Sequence, residues 1–211
     1  MEDYLTEEER LEALKRWLKE NGRSVVLGVG FGAALVLGWN FWQTKQWQNA
    51  EQAGTTFQQM LTAQQNKQFD AALKLSERLI EQHGSSAYGW YGRLFAAKFK
   101  ADRGELDAAK QLLKEVLAKS GEENLRLLAR LRLAQVMLAL QEDEEALQLI
   151  EAADTKMVAP YQALYAELKG DILLALGRHD QARTAYEQAR SLGEKSPLLE
   201  LKIQDLAPVR S

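Results

Sequence analysis

The most constraining feature of this chain is an apolar stretch, residues 24–42, in which nineteen residues contain no Asp, Glu, Lys or Arg. As an α-helix it would be roughly 28 Å long, close to the thickness of the hydrocarbon core of a bilayer. Its four glycines disfavour a helix in water, but a bilayer enforces helical hydrogen bonding and tolerates glycine. We predict a single transmembrane helix here, with the buried helix of a soluble protein as the alternative.

The charges beside this stretch predict its orientation. Lys15, Arg16, Lys19 and Arg23 precede the stretch, whereas only Lys45 follows it closely. Because Lys and Arg next to a span favour the cytoplasmic side, we predict a cytoplasmic N-terminus. The long Glu-rich segment before the span and its aromatic end, WNFW, do not fit a cleaved signal peptide, so we expect the anchor to be retained.

The head of the chain, residues 1–23, has the pattern of an amphipathic helix. Thr6 followed by Glu9 forms a capping box, which predicts a helix start. Apolar residues then recur on one helical face: Leu11, Leu14, Trp17 and Leu18. Three interpretations remain open: this face lies on the inner membrane surface, docks on a cytosolic partner, or belongs to a frayed helix that only carries the positive charges.

The remaining residues, 43–211, are numerous enough for one well-buried soluble domain. The chain has no cysteine, which excludes disulfides, thiol catalysis and thiolate metal sites and suits an oxidising compartment. Its net charge is −3 and no basic run follows the span, so nucleic acid is not an expected partner. Three prolines and abundant Ala, Leu, Gln and Glu predict an all-α chain.

Four segments of this domain share one pattern. They begin at Phe69, Leu106, Asp143 and His179, and their matching alanines are separated by 37, 37 and 36 residues: Ala72, Ala109, Ala146 and Ala182. A bulky residue follows four positions later, at Leu113, Ile150 and Tyr186, and a small residue precedes by twelve positions, at Ala97, Ala134 and Gly170. A period in the middle thirties is typical of a solenoid of helical hairpins.

This pattern resembles the tetratricopeptide repeat, with its small eighth residue, alanine at position 20, bulky residue at 24 and alanine at 27. The resemblance covers residues 88–192 well and residues 57–82 loosely, because Met60 and Ser76 stand where a small and a bulky residue are expected. The period exceeds the usual one by two or three residues, and Arg93, Arg130 and Ala166 replace the aromatic fourth residue.

The repeat resemblance implies a concave surface that holds peptide, lined by the second, fifth, ninth, twelfth and thirteenth positions of each first helix. The residues carried over to such a groove are Tyr91, Leu94, Lys98, Asp102, Leu128, Leu131, Gln135, Leu138, Leu164, Glu167, Asp171 and Leu174. An equal alternative is that many of these leucines pack against a neighbouring repeat or a capping helix. A clamp for peptide carboxylates needs Lys and Asn where this chain has Leu94 and Lys98, so we do not expect one.

Catalytic patterns are missing from the sequence. The two histidines, His83 and His179, are turn residues that share no helical face with a nucleophile or a second ligand. No HExxH, GxSxG or glycine-rich phosphate loop is present. We therefore predict no enzyme, no catalytic residues, no cofactor and no metal.

The whole chain resembles the YfgM family of Gram-negative bacteria, the ancillary subunits of the SecYEG translocon. The resemblance is carried by ALKRWLKENGRSVVLGVGFGAALVLGWNFW, by ENLRLLARLRLAQVMLAL and by LKGDILLALGRHDQAR. It implies a single-pass inner-membrane protein in three parts: a cytoplasmic head (1–23), a transmembrane helix (24–42) and a periplasmic tetratricopeptide-like domain (43–211). The implied partners are the translocon, a membrane-anchored periplasmic peptidyl-prolyl isomerase and exported polypeptides.

Two functions are consistent with this layout. The first is an ancillary translocon subunit or chaperone-like adaptor for newly exported proteins, and the alternative is a structural scaffold for another cell-envelope complex without chaperone activity. Small residues at four-residue spacing in the span further suggest a helix-packing surface that recognises a membrane partner. These residues are Gly28, Gly30, Gly32, Ala34 and Gly38.

Overall fold

The computed structural model describes residues 7–153, 161–194 and 196–206, without the side chains of residues 7–9, 13 and 25. The predicted capping box of Thr6 and Glu9 lies outside the described side chains. Throughout the described ranges the regular structure is helical, without strands, which confirms the predicted all-α class. The helices are α1 Glu7–Gln65, α2 Phe69–His83, α3 Ala87–Asp102, α4 Leu106–Lys119, α5 Glu123–Ala139, α6 Asp143–Glu151, α7 Gln162–Ala175, α8 His179–Ser191 and α9 Pro197–Asp205.

The chain divides into two compact units, Met1–Gln52 and Ala53–Ser211. In the first unit, the apolar side chains of α1 are largely exposed, among them Val26 (71%), Phe31 (69%) and Phe41 (73%). Within the described residues, α1 is the helix with the length and composition to cross a membrane, in its part Val26–Gln65. The apolar residues of the head, such as Leu11 and Trp17, are also about half exposed.

The second unit is a series of antiparallel helix pairs. The last part of α1, residues 53–65, shares a hydrophobic cluster with α2. The helices α3, α5 and α7 pair with α4, α6 and α8, and α9 follows. The second helix of each pair begins where the sequence pattern begins: Phe69, Leu106, Asp143 and His179. The four repeated alanines are completely buried, as the stacking of otherwise incomplete hairpins requires.

The turn inside each hairpin has the same backbone conformation four times. Lys67, Gly104, Gln141 and Gly177 have φ of 58°, 79°, 62° and 72°. In each turn the amide N of the next residue donates to a carbonyl O five residues before it, as in Gln68 to Ala63 at 2.8 Å. This is the usual closure of a helix by a left-handed residue, where glycine is favoured because it has no Cβ.

The two non-glycine turns therefore carry a conformational cost that glycine would remove. We expect Gln141→Gly to raise the free energy of unfolding and Gly177→Gln to lower it, each by about 1 kcal/mol. Gly121→Gln is the control, because Gly121 lacks a positive φ and a Cβ there meets no atom within 4 Å. Urea unfolding of the full chain in detergent, followed by circular dichroism, measures all three. Equal losses in Gly177→Gln and Gly121→Gln would refute the explanation.

The two helices of the last hairpin approach each other closely at Gly170. A Cβ on Gly170 would lie 2.3 Å from Cε1 of Tyr186, which is fully buried. At the equivalent places in the two preceding hairpins, the small residue is alanine and the residue sixteen positions later is Leu113 or Ile150. The larger tyrosine ring thus requires the loss of a methyl group on the opposite helix.

In the hairpin formed by α1 and α2 the two volumes are exchanged. Met60 fills the place that is small elsewhere, and Ser76 stands where the other hairpins have a bulky residue. Both are completely buried, and the Ser76 hydroxyl donates to the carbonyl O of Leu73 at 2.7 Å. This exchange explains why the repeat pattern is weaker there while the hairpin still forms.

We expect Gly170→Ala to cost roughly 2 kcal/mol of unfolding free energy by overpacking against Tyr186. In the double variant Gly170→Ala, Tyr186→Leu, the pair takes the form of Ala97 and Leu113, so the two losses should be less than additive by about 1 kcal/mol. A double-mutant cycle from urea unfolding measures this coupling. Simple additivity would show that the two side chains do not limit each other.

Candidate peptide-binding groove

A cavity of about 500 Å³ opens between α3 and α5. Its base is apolar, since Leu106 and Leu113 of α4 and Ala97 of α3 line it. We call this space the α3–α5 cavity. The other residues that line it are Tyr91, Leu94, Phe95, Lys98, Ala101, Asp102, Leu128, Arg132, Gln135, Val136 and Ala139.

Aromatic rings support one side of the α3–α5 cavity. Phe57 of α1 lies with its ring centroid 5.7 Å from Tyr91 and 5.9 Å from Phe95, and Phe95 lies 6.1 Å from Phe99. Phe99 is buried, whereas Tyr91 is one-third exposed. Tilted rings at these distances attract one another, so this side of the cavity is an apolar wall of packed rings.

The rim of the α3–α5 cavity is polar. Lys98 Nζ donates to Asp102 Oδ2 at 2.7 Å on α3, and Arg132 Nη1 donates to Gln135 Oε1 at 3.2 Å on α5. All four side chains lie at the surface, so these contacts contribute little to stability. Charged and amide groups thus surround an apolar base.

The structure brings six of the twelve sequence-predicted groove residues together in the α3–α5 cavity: Tyr91, Leu94, Lys98, Asp102, Leu128 and Gln135. Leu131 is only 4% exposed and belongs to the hydrophobic core, and Leu138 packs against the same core. Leu164 and Leu174 of α7 are about two-fifths exposed. Glu167 and Asp171 are engaged by α9, as described below. A peptide-binding role for any of the twelve stays a prediction.

Several residues that line the α3–α5 cavity were not predicted from the sequence, chiefly Phe95, Arg132 and Val136. On α5 the lining follows Leu128, Arg132, Gln135 and Ala139, a single stripe at helical spacing. The carried-over positions instead selected Leu131 and Leu138, which lie one residue earlier on the helix. Arg132 could have identified the exposed face of α5, because a charged residue in an otherwise apolar helix lies on the side that faces water.

At the other end of the repeats, α9 covers part of α7. Lys202 Nζ lies 2.8 Å from Glu167 Oε1 and 2.7 Å from Asp171 Oδ1, and 5.5 Å from the ring centroid of Tyr186. Burial lowers the pKa of Lys202, but its bonds to Asp171 and Glu167 outweigh burial, so the net pKa is raised. Burial and the hydrogen bond to Asp171 raise the pKa of Tyr186, which stays a donor.

Tyr165 connects α7 to α5. Its hydroxyl donates to the carbonyl O of Leu127 at 2.7 Å, and the residue is 6% exposed. Burial raises the pKa of this phenol to about 12, against a smaller lowering by Arg130. The neutral phenol is thus part of the packing between adjacent hairpins.

The two histidines lie at helix ends. His83 is the last residue of α2, and His179 is the first residue of α8. Among the described residues, no group of three or more His, Asp or Glu side chains is arranged to hold a metal ion.

Comparisons with known proteins agree with this architecture. A family model described as tetratricopeptide repeat-like domain matches residues 15–208. The ancillary SecYEG translocon subunit of Escherichia coli K12 is 30% identical over 210 residues, which cover 98% of this chain and all of that protein. The chain belongs to this family of tetratricopeptide repeat-like proteins. A family member in Haemophilus influenzae, with the same description, is 28% identical over 96% of this chain and 98% of its own length.

Solved structures show the same fold at lower identity. PilF of Pseudomonas aeruginosa superposes with a TM-score of 0.64 at 20% identity, over 75% of this chain and 68% of its own. A tetratricopeptide protein of Thermus thermophilus gives 0.58 at 21% identity, over 73% and 80%. At these identities the likeness concerns the fold alone, and this fold is one that proteins use for interaction with other chains.

The raised pKa of Tyr165 predicts a loss of stability in alkali. Because the folded chain favours the neutral phenol, this contribution is complete below pH 10, the ordinary pKa, and disappears as pH rises from 10 towards about 12. We expect the unfolding free energy of the wild type to fall more steeply over this range than that of Tyr165→Phe. Urea unfolding at several pH values measures both slopes. Identical slopes for the wild type and Tyr165→Phe would refute the prediction.

Proposed function

We propose that this protein is a membrane-anchored ancillary subunit of the SecYEG translocon that binds exported polypeptides with its repeat unit. The single observation that carries the proposal is the match to the Escherichia coli subunit over that protein's entire length. A match of this extent includes the apolar stretch and the repeats together. It therefore supports a common layout, beyond a shared repeat fold.

The exposed apolar side chains of α1 support an anchor. A helix whose Val26, Phe31 and Phe41 are about 70% exposed needs an apolar environment to cover them. With the basic residues before the span on the cytoplasmic side, residues 1–23 form the head, residues 24–42 cross the inner membrane, and residues 43–211 form the periplasmic repeat domain. The glycines at 28, 30, 32 and 38, with Ala34, then let a neighbouring membrane helix approach closely.

The α3–α5 cavity is the surface that we assign to exported chains. Its apolar base and aromatic wall suit the hydrophobic side chains that an unfolded polypeptide exposes, and its exposed polar rim tolerates varied neighbours. Binding of this kind is chaperone-like because it covers apolar surface before the client folds. In this proposal the protein is an adaptor without catalytic activity, and the isomerisation of prolines falls to a membrane-anchored peptidyl-prolyl isomerase partner.

A second candidate function is a scaffold for another cell-envelope complex without chaperone activity. The observation that favours it is the stack of helix pairs itself, because stacked pairs form an extended surface that can also hold one folded partner. A scaffold would use the same repeat surface for one permanent folded partner. The two candidates differ in whether the α3–α5 cavity meets many transient chains or one stable protein.

Photocrosslinking in intact cells distinguishes these candidates. A photoreactive amino acid at Tyr91 or Gln135, on the rim of the α3–α5 cavity, should capture translocon subunits and newly exported chains. The matched control is Gln111, which is exposed on α4 and does not line the cavity. Crosslinks are identified by mass spectrometry. Capture of one other envelope complex alone would favour the scaffold, and capture of neither translocon nor exported chains would overturn the proposed function.

A further inference from the structure

The C-terminal end of the repeat surface is occupied by the chain itself. Glu167 and Asp171 lie one helical turn apart on α7, at positions that correspond to Leu94 and Lys98 in the α3–α5 cavity. Here, however, Lys202 of α9 lies between the two carboxylates, within 2.8 Å of both. We call the pair of carboxylates, together with the ring of Tyr186, the lysine seat.

The helix that supplies this lysine buries one side chain completely, and Ile203 and Leu206 pack partly against the core. Of the nine residues in α9, Leu199 alone is fully buried, while Leu198 and Leu201 are 59% and 55% exposed. A helix this short is unstable without a packing surface, so its position depends on Leu199, the Lys202 contacts and the partly buried end of the helix. Gly193, with a φ of 104°, ends α8 in the connection to α9.

The lysine seat does not depend on α9 for its arrangement. The Tyr186 hydroxyl donates to Asp171 Oδ1 at 2.8 Å, and the tyrosine ring is fixed in the core against Gly170. If α9 moved away, the two carboxylates would remain on α7 beside the ring of Tyr186 and next to the apolar surface that Leu199 covers. Two carboxylates next to an aromatic ring attract an ammonium group.

We propose that α9 is a displaceable occupant of the lysine seat, and that a partner helix carrying a leucine followed three residues later by a lysine binds there in its place. The chemistry of this partner is read from α9 itself, in which Leu199 and Lys202 enter the surface together. The proposal rests on the groove-binding role of the repeat unit and extends that role from α5 to α7. In the free protein, α9 keeps this end closed and reduces the apparent affinity for the partner.

A peptide with the sequence of residues 196–206, SPLLELKIQDL, labelled with fluorescein, is the probe. Lys202→Glu in the full-length protein in detergent adds a third carboxylate to the seat and should release α9. We expect the peptide to bind this variant at least tenfold more tightly than the wild type, measured by fluorescence anisotropy. Lys169→Glu is the control with the same charge change, because Lys169 pairs with Glu151 instead, and it should bind as the wild type does.

Hydrogen exchange shows whether α9 has moved without unfolding the repeats. In Lys202→Glu, the amides of α9 should exchange faster while those of α7 and α8 keep their protection. Adding Glu167→Lys restores an opposite-charge pair, so α9 should become protected again and the affinity for the peptide should return to the wild-type level. Loss of protection in α7 and α8 would make α9 a structural cap and overturn the proposal.

Two further results would overturn it: α9 that remains protected in Lys202→Glu, and a released α9 with no gain in peptide affinity. A peptide with Glu in place of its lysine should not bind Lys202→Glu, and equal binding of both peptides to this variant would also contradict the seat. These measurements contain no translocon. Their failure would leave the crosslinks from the α3–α5 cavity unaffected, whereas failure of the proposed function would appear in the crosslinks alone.

Discussion

The repeat unit depends on one packing constraint, the combined volume of two residues that lie sixteen positions apart on paired helices. The pair is a small residue with Leu113, Ile150 or Tyr186 in three hairpins, and Met60 with Ser76 in the hairpin of α1 and α2. Where one member grows to a tyrosine, the other shrinks to a glycine whose missing Cβ leaves room for the ring. In a close-packed interior both a void and a steric overlap lower the stability. The combined volume of the two side chains is therefore preserved, while the share of each one varies.

This constraint explains how much of the fold could be predicted from the sequence. The buried alanines at a period of 37, 37 and 36 residues located the start of α2, α4, α6 and α8, because only a small side chain lets paired helices approach. Met60 and Ser76 depart from the tetratricopeptide pattern because that pattern defines each position separately. Such a pattern does not show that the two substitutions compensate each other. The sum of the two side-chain volumes does show it.

The site was predicted less completely for a different physical reason. The positions of a repeat family fix which face of a helix points towards the concave surface, but the exact lining depends on rotation between neighbouring hairpins. On α5 the lining is shifted by one residue from the family pattern: Leu131 is buried, and Arg132 lines the cavity instead. The contact between Glu167 and Lys202 of α9 could not be predicted either, because the two residues are 35 positions apart and Lys202 lies outside the repeat pattern.

The two ends of the repeat surface differ in polarity, and this difference follows from their places in the stack. The first helices α3 and α5 are internal and offer an apolar base, whereas α7 is the last repeated first helix and would expose its side towards the next hairpin. A stack without closure exposes apolar surface, so its final helix needs a polar cover. Glu167 and Asp171 provide polarity at this boundary, and α9 pairs them with Lys202 while Leu199 is buried and Ile203 packs partly against the core. A cover that combines a few apolar contacts with one ammonium group closes the stack yet stays exchangeable, because another helix with the same few groups can make the same contacts.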